Sequence, residues 1–375
     1  GSTSSVLNAN FGQRPFAYTA PSGFKALCTT NLPDPVVTKP STVFDAVTYN
    51  GSSGTKTITM PGGFSPDLVW IKNRGQVRWH CVFDQVRGAY RRLFTNATNA
   101  ETNDVGYNLN SFTSTGFTLL DTDRDTNSSA GDAYVAWCWD AGSSTVSNTD
   151  GSITSQVRAN ASAGFSIVTF TTPSSTATNF TVGHGLGVSP GMMIFKNRGT
   201  GEWYVWHSAN PSSTQDYLQL QSTSAKVSSA TIWNNTAPTS SVASFGGSFW
   251  SYSLNIVGYC FAPVESYSAF GSYTGNGSTD GPFVYTGFRP AFLMIKSSSA
   301  ALDGWFMVDN RRPESNLINK FLYANTSAVE QDANVADFCS NGFKIRYNYA
   351  GTNQNAATYI YAAFAESPFQ YARAR

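Results

Sequence analysis

A ten-residue pattern occurs three times along the chain and constrains its fold more than any other feature. The copies are Gly63-Phe64-Ser65-Pro66-Asp67-Leu68-Val69-Trp70-Ile71-Lys72, Gly187-Val188-Ser189-Pro190-Gly191-Met192-Met193-Ile194-Phe195-Lys196 and Gly287-Phe288-Arg289-Pro290-Ala291-Phe292-Leu293-Met294-Ile295-Lys296. In each, proline opens an apolar run and lysine closes it. Such a run predicts a strand buried on both faces, and proline suits its first position, where no ladder N–H is needed. The copies start at residues 63, 187 and 287, intervals too long for a solenoid repeat of about 20–50 residues. They point to three related units.

Other segments recur in step. A tryptophan follows each copy: Trp79, Trp203 and Trp305. Gly116-Phe117-Thr118-Leu119 and Gly342-Phe343-Lys344-Ile345 form a later matching strand in two copies. Aromatic strands close the units at Tyr134–Trp139, Ile256–Phe261 and Tyr359–Phe364. Phe165–Phe170 and Tyr267–Tyr273 read as opening strands, the latter before the turn signal Asn276-Gly277. Helical spacing is confined to Val86–Leu93 and Ala328–Phe338. The expectation is an all-β chain of tandem β-sandwiches, jelly-roll or concanavalin-like, in three units at 44–143, 160–266 and 267–369. The Ser/Thr/Asn-rich 144–159 predicts a linker, 1–43 an extended arm, and 370–375 a tail.

Composition agrees. Aromatic residues are 14% and charged residues 13% of 375, the latter well below the ~25% of ordinary domains. Aromatics for pleated faces and small polar residues for turns suit β-structure. Lys plus Arg total 24 against 23 Asp plus Glu, a net charge of +1; no nucleic-acid or polybasic membrane partner is expected. No apolar run reaches the ~18 residues of a membrane span, and Gly1–Asn10 lacks the basic and apolar regions of a signal peptide. Five scattered cysteines (28, 81, 138, 260 and 339) include no CxxC pair. They read as thiols of a chain folded in a reducing cytoplasm.

Several segments resemble a known family. Phe11-Gly12-Gln13-Arg14-Pro15-Phe16 with Gly23-Phe24-Lys25-Ala26-Leu27 resembles the closing segment of SPRY-like, concanavalin-type domains in phage tail-fibre proteins. Gly275–Pro290, Ser340–Ile345 and Tyr359–Phe369 resemble an uncharacterised phage domain family found in tail-fibre and virion proteins. The third unit matches throughout, the first matches well, and the second departs in its loops. The resemblance implies a virion surface protein of a tailed phage, assembled in the host cytoplasm. It supplies no catalytic residue.

Each candidate site residue has a structural reading beside its functional one. Asp84 with Arg87, and Asp309 with Arg312, follow Trp79 and Trp305; they read as ion pairs anchoring loops, with Ser208 and Pro211 at the matching places in unit two. Lys72, Lys196 and Lys296 read as strand-end lysines snorkelling past apolar surface. His80, His184 and His207 have no nucleophile motif nearby, and no carboxylate pair stands out. Asp121, Asp123, Asp125 and Asp132 imitate a calcium loop without its glycine or its final glutamate; a solvated hairpin tip is the other reading, and calcium is the one cofactor the sequence suggests. Trp233, Trp250, Tyr252, Tyr347 and Tyr349, aromatics in polar loops, are the glycan-binding candidates. The expected function is adhesion to a host envelope glycan or protein by a homotrimeric tail-fibre or receptor-binding component, without catalysis, with residues 1–43 docking on other virion proteins. The alternative is a structural virion element such as a head decoration or head fibre, and the third reading is a polysaccharide depolymerase.

Overall fold

Each recurrent apolar run forms an inner strand of an antiparallel sheet. The computed structural model describes residues 10, 14–15, 17–19, 21–24, 31, 34–120, 123–128, 130–174, 178–250, 252–313 and 316–369. Most of the arm expected at 1–43, all of the tail expected at 370–375, and Cys28 lie outside these residues.

Unit one contains β1 (Phe44–Asn50), β2 (Lys56–Thr59), β3 (Leu68–Asn73), β4 (His80–Asp84), β5 (Arg91–Phe94), β6 (Thr102–Asn103), β7 (Leu109–Thr113), β8 (Gly116–Leu119) and β9 (Ala133–Trp139). Its main sheet has the order β1-β9-β3-β4-β5-β6 and its second sheet β2-β8-β7. Unit two contains β10 (Thr145–Asn148), β11 (Ser155–Asn160), β12 (Phe165–Thr171), β13 (Phe180–Gly183), β14 (Met192–Asn197), β15 (Trp203–His207), β16 (Asp216–Gln219), β17 (Val227–Ser228), β18 (Val242–Phe245), the single turn α1 (Gly247–Trp250) and β19 (Asn255–Phe261). Its main sheet runs β10-β11-β12-β19-β14-β15-β16-β17, with β13-β18 as the second layer. Unit three contains β20 (Ser268–Thr274), β21 (Phe283–Tyr285), β22 (Phe288–Ser297), β23 (Phe306–Asp309), β24 (Leu317–Tyr323), β25 (Gln331–Cys339), β26 (Gly342–Ile345), the single turn α2 (Ala350–Asn353) and β27 (Thr358–Pro368). Here one sheet, β20-β27-β22-β23-β24-β25-β26-β21, supplies both layers. The chain is all-β.

In every unit the closing strand lies between the opening strand and the repeat strand. Leu68 faces Trp139, Met192 faces Phe261 and Phe292 faces Phe364. This common register makes Trp139, Phe261 and Phe364 equivalent, and their rings meet. Centroid separations are 6.0, 5.6 and 5.7 Å at interplanar angles of 66°, 73° and 65°. All three main sheets turn one face to this trio and share one core, which takes Trp70 and Trp137, Ile194 and Tyr259, Met294 and Ala362. Alternate residues of two sheets face outward into separate cores, Val69 and Ile71 in unit one, Met193 and Phe195 in unit two. Burial on both faces explains the unbroken apolar runs. The units are therefore staves of one closed ring with approximate threefold repetition. Gly258 shows how tightly the layers fit, because a Cβ there would stand 2.4 Å from the Phe195 ring.

Three details differ from expectation. The predicted linker carries β10 and β11, which pair with each other and add two strands to the edge of the unit-two sheet. Neither stretch with helical spacing is helical: 86–93 runs through a turn into β5, and 328–338 enters β25. Pro290 lies inside its strand, at a register shift that tolerates a missing N–H.

The repeat lysines are completely buried rather than snorkelling. Lys72 Nζ donates to the carbonyls of Asn73 at 2.6 Å and Gln76 at 3.3 Å. Lys196 reaches Asn197 and Gly199, and Lys296 reaches Ser297 and, across the ring, Thr223. Burial lowers all three pKa values to about 8.

Candidate functional site: a groove at one of three seams

The ring closes head to tail, unit two onto unit one, one onto three, and three onto two. On the first seam Asp84 and Arg87 pair at 2.5 Å with both side chains buried, and Tyr259 of unit two donates to Asp84 at 2.8 Å. Glu101 bridges Arg87 and Arg198 at 2.9 and 2.8 Å. The second seam repeats this. Asp309 and Arg312 pair at 2.6 Å, Trp137 of unit one donates to Asp309 at 2.9 Å, and Glu330 bridges Arg312 and Arg74. The Arg312 guanidinium also covers the Trp137 ring at 5.4 Å. Asp84, Arg87, Asp309 and Arg312 thus bind a neighbouring unit as well as their own loops.

The third seam lacks these charges. Met192 pairs with His207 as Leu68 pairs with Asp84, so the unit-two matches are His207 and Asn210, not the Ser208 and Pro211 expected from sequence spacing. Ala362 stands where the other closing strands have Trp137 and Tyr259, and Lys226 where they meet Glu101 and Glu330. The backbone contact survives, each of these three donating its N–H to Ser298, Arg198 or Arg74 at 3.0, 2.7 and 2.8 Å. His207 Nδ1 accepts from the Ala209 N–H, leaving Nε2–H to donate to the Tyr361 carbonyl at 3.0 Å. Burial holds His207 down to about 4, and it also lowers His80 and His184.

The same register corrects the tryptophan series. Lys72 pairs with His80 and Lys196 with Trp203, while Ile295 pairs with Phe306, so Trp305 follows Lys296. The structural match of Trp203 and Trp305 is His80. Those two indoles donate across their seams to the carbonyls of Phe94 and Gln219. Trp79, one residue earlier, is released from this duty. Its counterparts are Glu202 and Gly304, and those of Arg78 are Gly201 and Asp303.

Trp79 lies in an open groove of about 480 Å³ between units one and three, lined also by Arg78, Asn96, Asn325, Thr326 and Ser327. The ring is 39% exposed and braced behind by Phe94, with centroids 5.0 Å apart. Asn96 Oδ1 accepts the His80 N–H and Asn325 Oδ1 the Trp305 N–H, both at 2.9 Å. Each oxygen being committed, each amide turns its NH₂ outward. The Trp79 indole N–H has no hydrogen-bond partner among the described residues, and neither has the Arg78 Nε. Of the described arginines, only Arg14 and Arg78 make no ion pair. The lining contains no carboxylate, imidazole, thiol or amine.

The acidic loop supports this groove from behind. Arg92 gathers Asp104, Asp123 and Asp125 at 2.7, 2.5 and 3.5 Å, and Asp125 accepts the Trp79 N–H at 3.2 Å. Burial, with Asp123 beside it, pushes Asp125 up to about 6. Asp132 pairs instead with Arg124 and Asn73. Of the four calcium candidates, Asp123 and Asp125 thus share the Arg92 guanidinium, and no group of three or more His, Cys, Asp or Glu among the described residues is arranged to hold a metal. Asp121 lies outside them.

The five aromatic candidates do not form one platform. Trp233 and Trp250 are buried in the outer core of unit two, 6.2 Å apart, with their indole N–H groups on the carbonyls of Asp216 and Ile232. Neither can meet a sugar; the polar residues around them in sequence cover a core. Tyr252 is 68% exposed, with φ at +86°. Tyr347 and Tyr349 stack on each other at 5.1 Å on unit three.

Among the described residues no helix is long and apolar enough to cross a membrane. Cys81, Cys138, Cys260 and Cys339 are free thiols. No curated protein and no solved structure matches the chain. A single family model spans residues 39–368, all three units together, as one ring demands, and the chain belongs to that family, described as a domain of unknown function, DUF7483.

Proposed function

We propose that the chain is a virion surface protein of a tailed phage, a tail-fibre or receptor-binding component that adheres to glycans of the host envelope without catalysis. The observation that supports it is the Trp79 groove: a braced, half-open indole flanked by amide donors, present at one seam where its two counterparts lack the ring. A sugar ring lays its C–H face on such an indole and its hydroxyl oxygens accept from the amides. The groove's lining offers nothing to take or give a proton, which suits binding without turnover. Weak single sites would act through many copies on one particle. A homotrimer of chains would pair outer faces, since the axis is filled within one chain.

The test is binding of labelled chain to bacterial envelopes, with Trp79→Ala as comparison and reducing-sugar release measured alongside. Binding lost in the variant, with no sugar released, supports the reading. Absence of binding to every envelope, together with unchanged adsorption by particles lacking the gene, would refute it in favour of a structural virion element.

A further inference from the structure

The groove has a chemical bias that adhesion alone does not require. Every side-chain polar group facing it, apart from two hydroxyls, is a donor: the Trp79 indole N–H, the Asn96 and Asn325 amides, and the Arg78 guanidinium. The amides cannot flip to offer oxygen, because each oxygen holds a backbone N–H of the adjoining strand. Charge is equally one-sided. Arg78 makes no ion pair among the described residues, and the groove lining contains no carboxylate; the Asp125 carboxylate that feels its charge lies behind Trp79, on that residue's backbone N–H. At the two other seams its positions are Gly201 and Asp303, and the position of Trp79 is Glu202 or Gly304. The cation and the ring were therefore placed together at one seam only, where the pseudosymmetry is broken. The groove is also held open from below, since Asp125 fixes the Trp79 backbone while Phe94 supports the ring.

Resting on the adhesive reading above, we infer that this groove binds an acidic saccharide, a pyranose stacked on Trp79 with its carboxylate on Arg78 and its ring hydroxyls on Asn96 and Asn325. A planar guanidinium accepts a carboxylate in a paired, fork-like geometry. A lining whose side chains are mostly donors, with only the Thr326 and Ser327 hydroxyls able to accept, serves a neutral sugar's hydroxyl protons poorly and so favours the anion. An acidic peptide would satisfy the donors as well, but it has no use for a flat indole with one open face.

The experiment is calorimetric titration of the full chain with oligogalacturonate and oligosialate, with maltohexaose as the neutral and oligoglutamate as the peptide control. At least one acidic oligosaccharide should bind at least tenfold more tightly than maltohexaose and oligoglutamate. Arg78→Gln should erase that preference, Trp79→Ala should weaken saccharide binding about tenfold or more, and Tyr252→Ala should change neither. Equal melting temperatures for the variants establish that each is folded. Oligoglutamate binding as tightly as the saccharides overturns the assignment in favour of a peptide site. Saccharide binding that ignores both substitutions overturns the site and leaves the adhesive reading standing. No binding to any probe overturns the inference, and envelope binding that persists in that case separates its failure from that of the adhesive reading.

Discussion

The buried Asp84–Arg87 pair can be tested against the seam that lacks it, because unit two shows what the fold accepts in its place. Asp84→His alone leaves the Arg87 guanidinium in a site with no solvent exposure and removes the acceptor of the Tyr259 hydroxyl. Stranding one member of a buried pair costs about 3–5 kcal/mol. Glu101 stays 2.9 Å from Arg87 and the Val82 carbonyl 3.2 Å away, so the cost should fall near the lower end, about 3 kcal/mol. Arg87→Asn alone strands the carboxylate, at a similar cost. The double substitution reproduces the residue types of unit two, where His207 bonds the Tyr361 carbonyl and the Ala209 N–H; Gly258 is the match of Tyr361, so its carbonyl is the expected acceptor for the new imidazole. Lost hydrogen bonds to Tyr259 then dominate, about 1 kcal/mol each, and the double variant should be at least as stable as either single one. Urea unfolding of all four proteins gives the coupling directly. Costs below about 1 kcal/mol that simply add would refute the claim that this cluster holds the seam.

Other expectations follow from the same core. His207 falls to about 4 by burial while an unfolded histidine titrates near 6.5. The unfolded chain therefore binds the extra proton, and stability should decline by roughly 3 kcal/mol between pH 6.5 and 4, a slope that His207→Gln reduces in pH-dependent urea titrations. The buried lysines sit near 8 against 10.5 when unfolded; stability should rise between pH 8 and 9.5, less so in Lys196→Met. Ala362 borders an apolar hollow of about 30 Å³ on the axis. Ala362→Val should add about 1 kcal/mol, and a loss would mean the site is already filled. Trp233→Ala should cost about 3–5 kcal/mol as a core truncation, visible as a lower melting temperature, while Trp79→Ala changes melting little.

The strands were readable in the sequence because each lies buried on two faces and shows as a continuous apolar run. The register was not. His80 and Trp203 occupy one position, yet composition pairs Trp203 with Trp79, since the imidazole, which accepts from the Trp70 indole of its own unit, gives no sequence sign that it stands where the other units have an indole. The spacing of the acidic loop displays its carboxylates but not Arg92, which reaches them from a different strand. Trp233 and Trp250 read as loop aromatics because the residues between Thr231 and Trp250 are polar in sequence yet fold over a core. Ring closure was hidden for a related reason: one apolar face of each sheet meets another unit, and a sequence shows that a face is apolar without showing what covers it. The groove had a signal, Arg78-Trp79 in a polar loop, but its meaning depends on Asn325, more than 200 residues away.

The uneven seams have a physical logic that can be tested. Units one and two are tethered through residues 140–155 and units two and three through 262–267, whereas units one and three meet only through space. A tether raises the effective concentration of the surfaces it joins, so a tethered seam holds with fewer contacts. The untethered seam carries the fullest set: Trp137 on Asp309, Arg74 on Glu330, Arg311 on Asp45 at 2.9 Å, and the Thr95 hydroxyl on the Ala324 carbonyl at 2.8 Å. The seam between three and two, with neither the ion pair nor the ring, is one that a short tether closes. Moving the tether should therefore expose the difference. The turn Pro40–Thr42 packs against β27, so a link from 369 to 39 can join units three and one. Opening that permuted chain between 263 and 266 leaves the seam without the Asp–Arg pair to hold unaided. Its urea midpoint should lie well below that of the parent chain, and hydrogen exchange in β15 and β23 should accelerate before that in β4 and β9. A permutant as stable as its parent, with uniform exchange, would show that the apolar axis alone closes the ring and that the charged clusters are incidental to it.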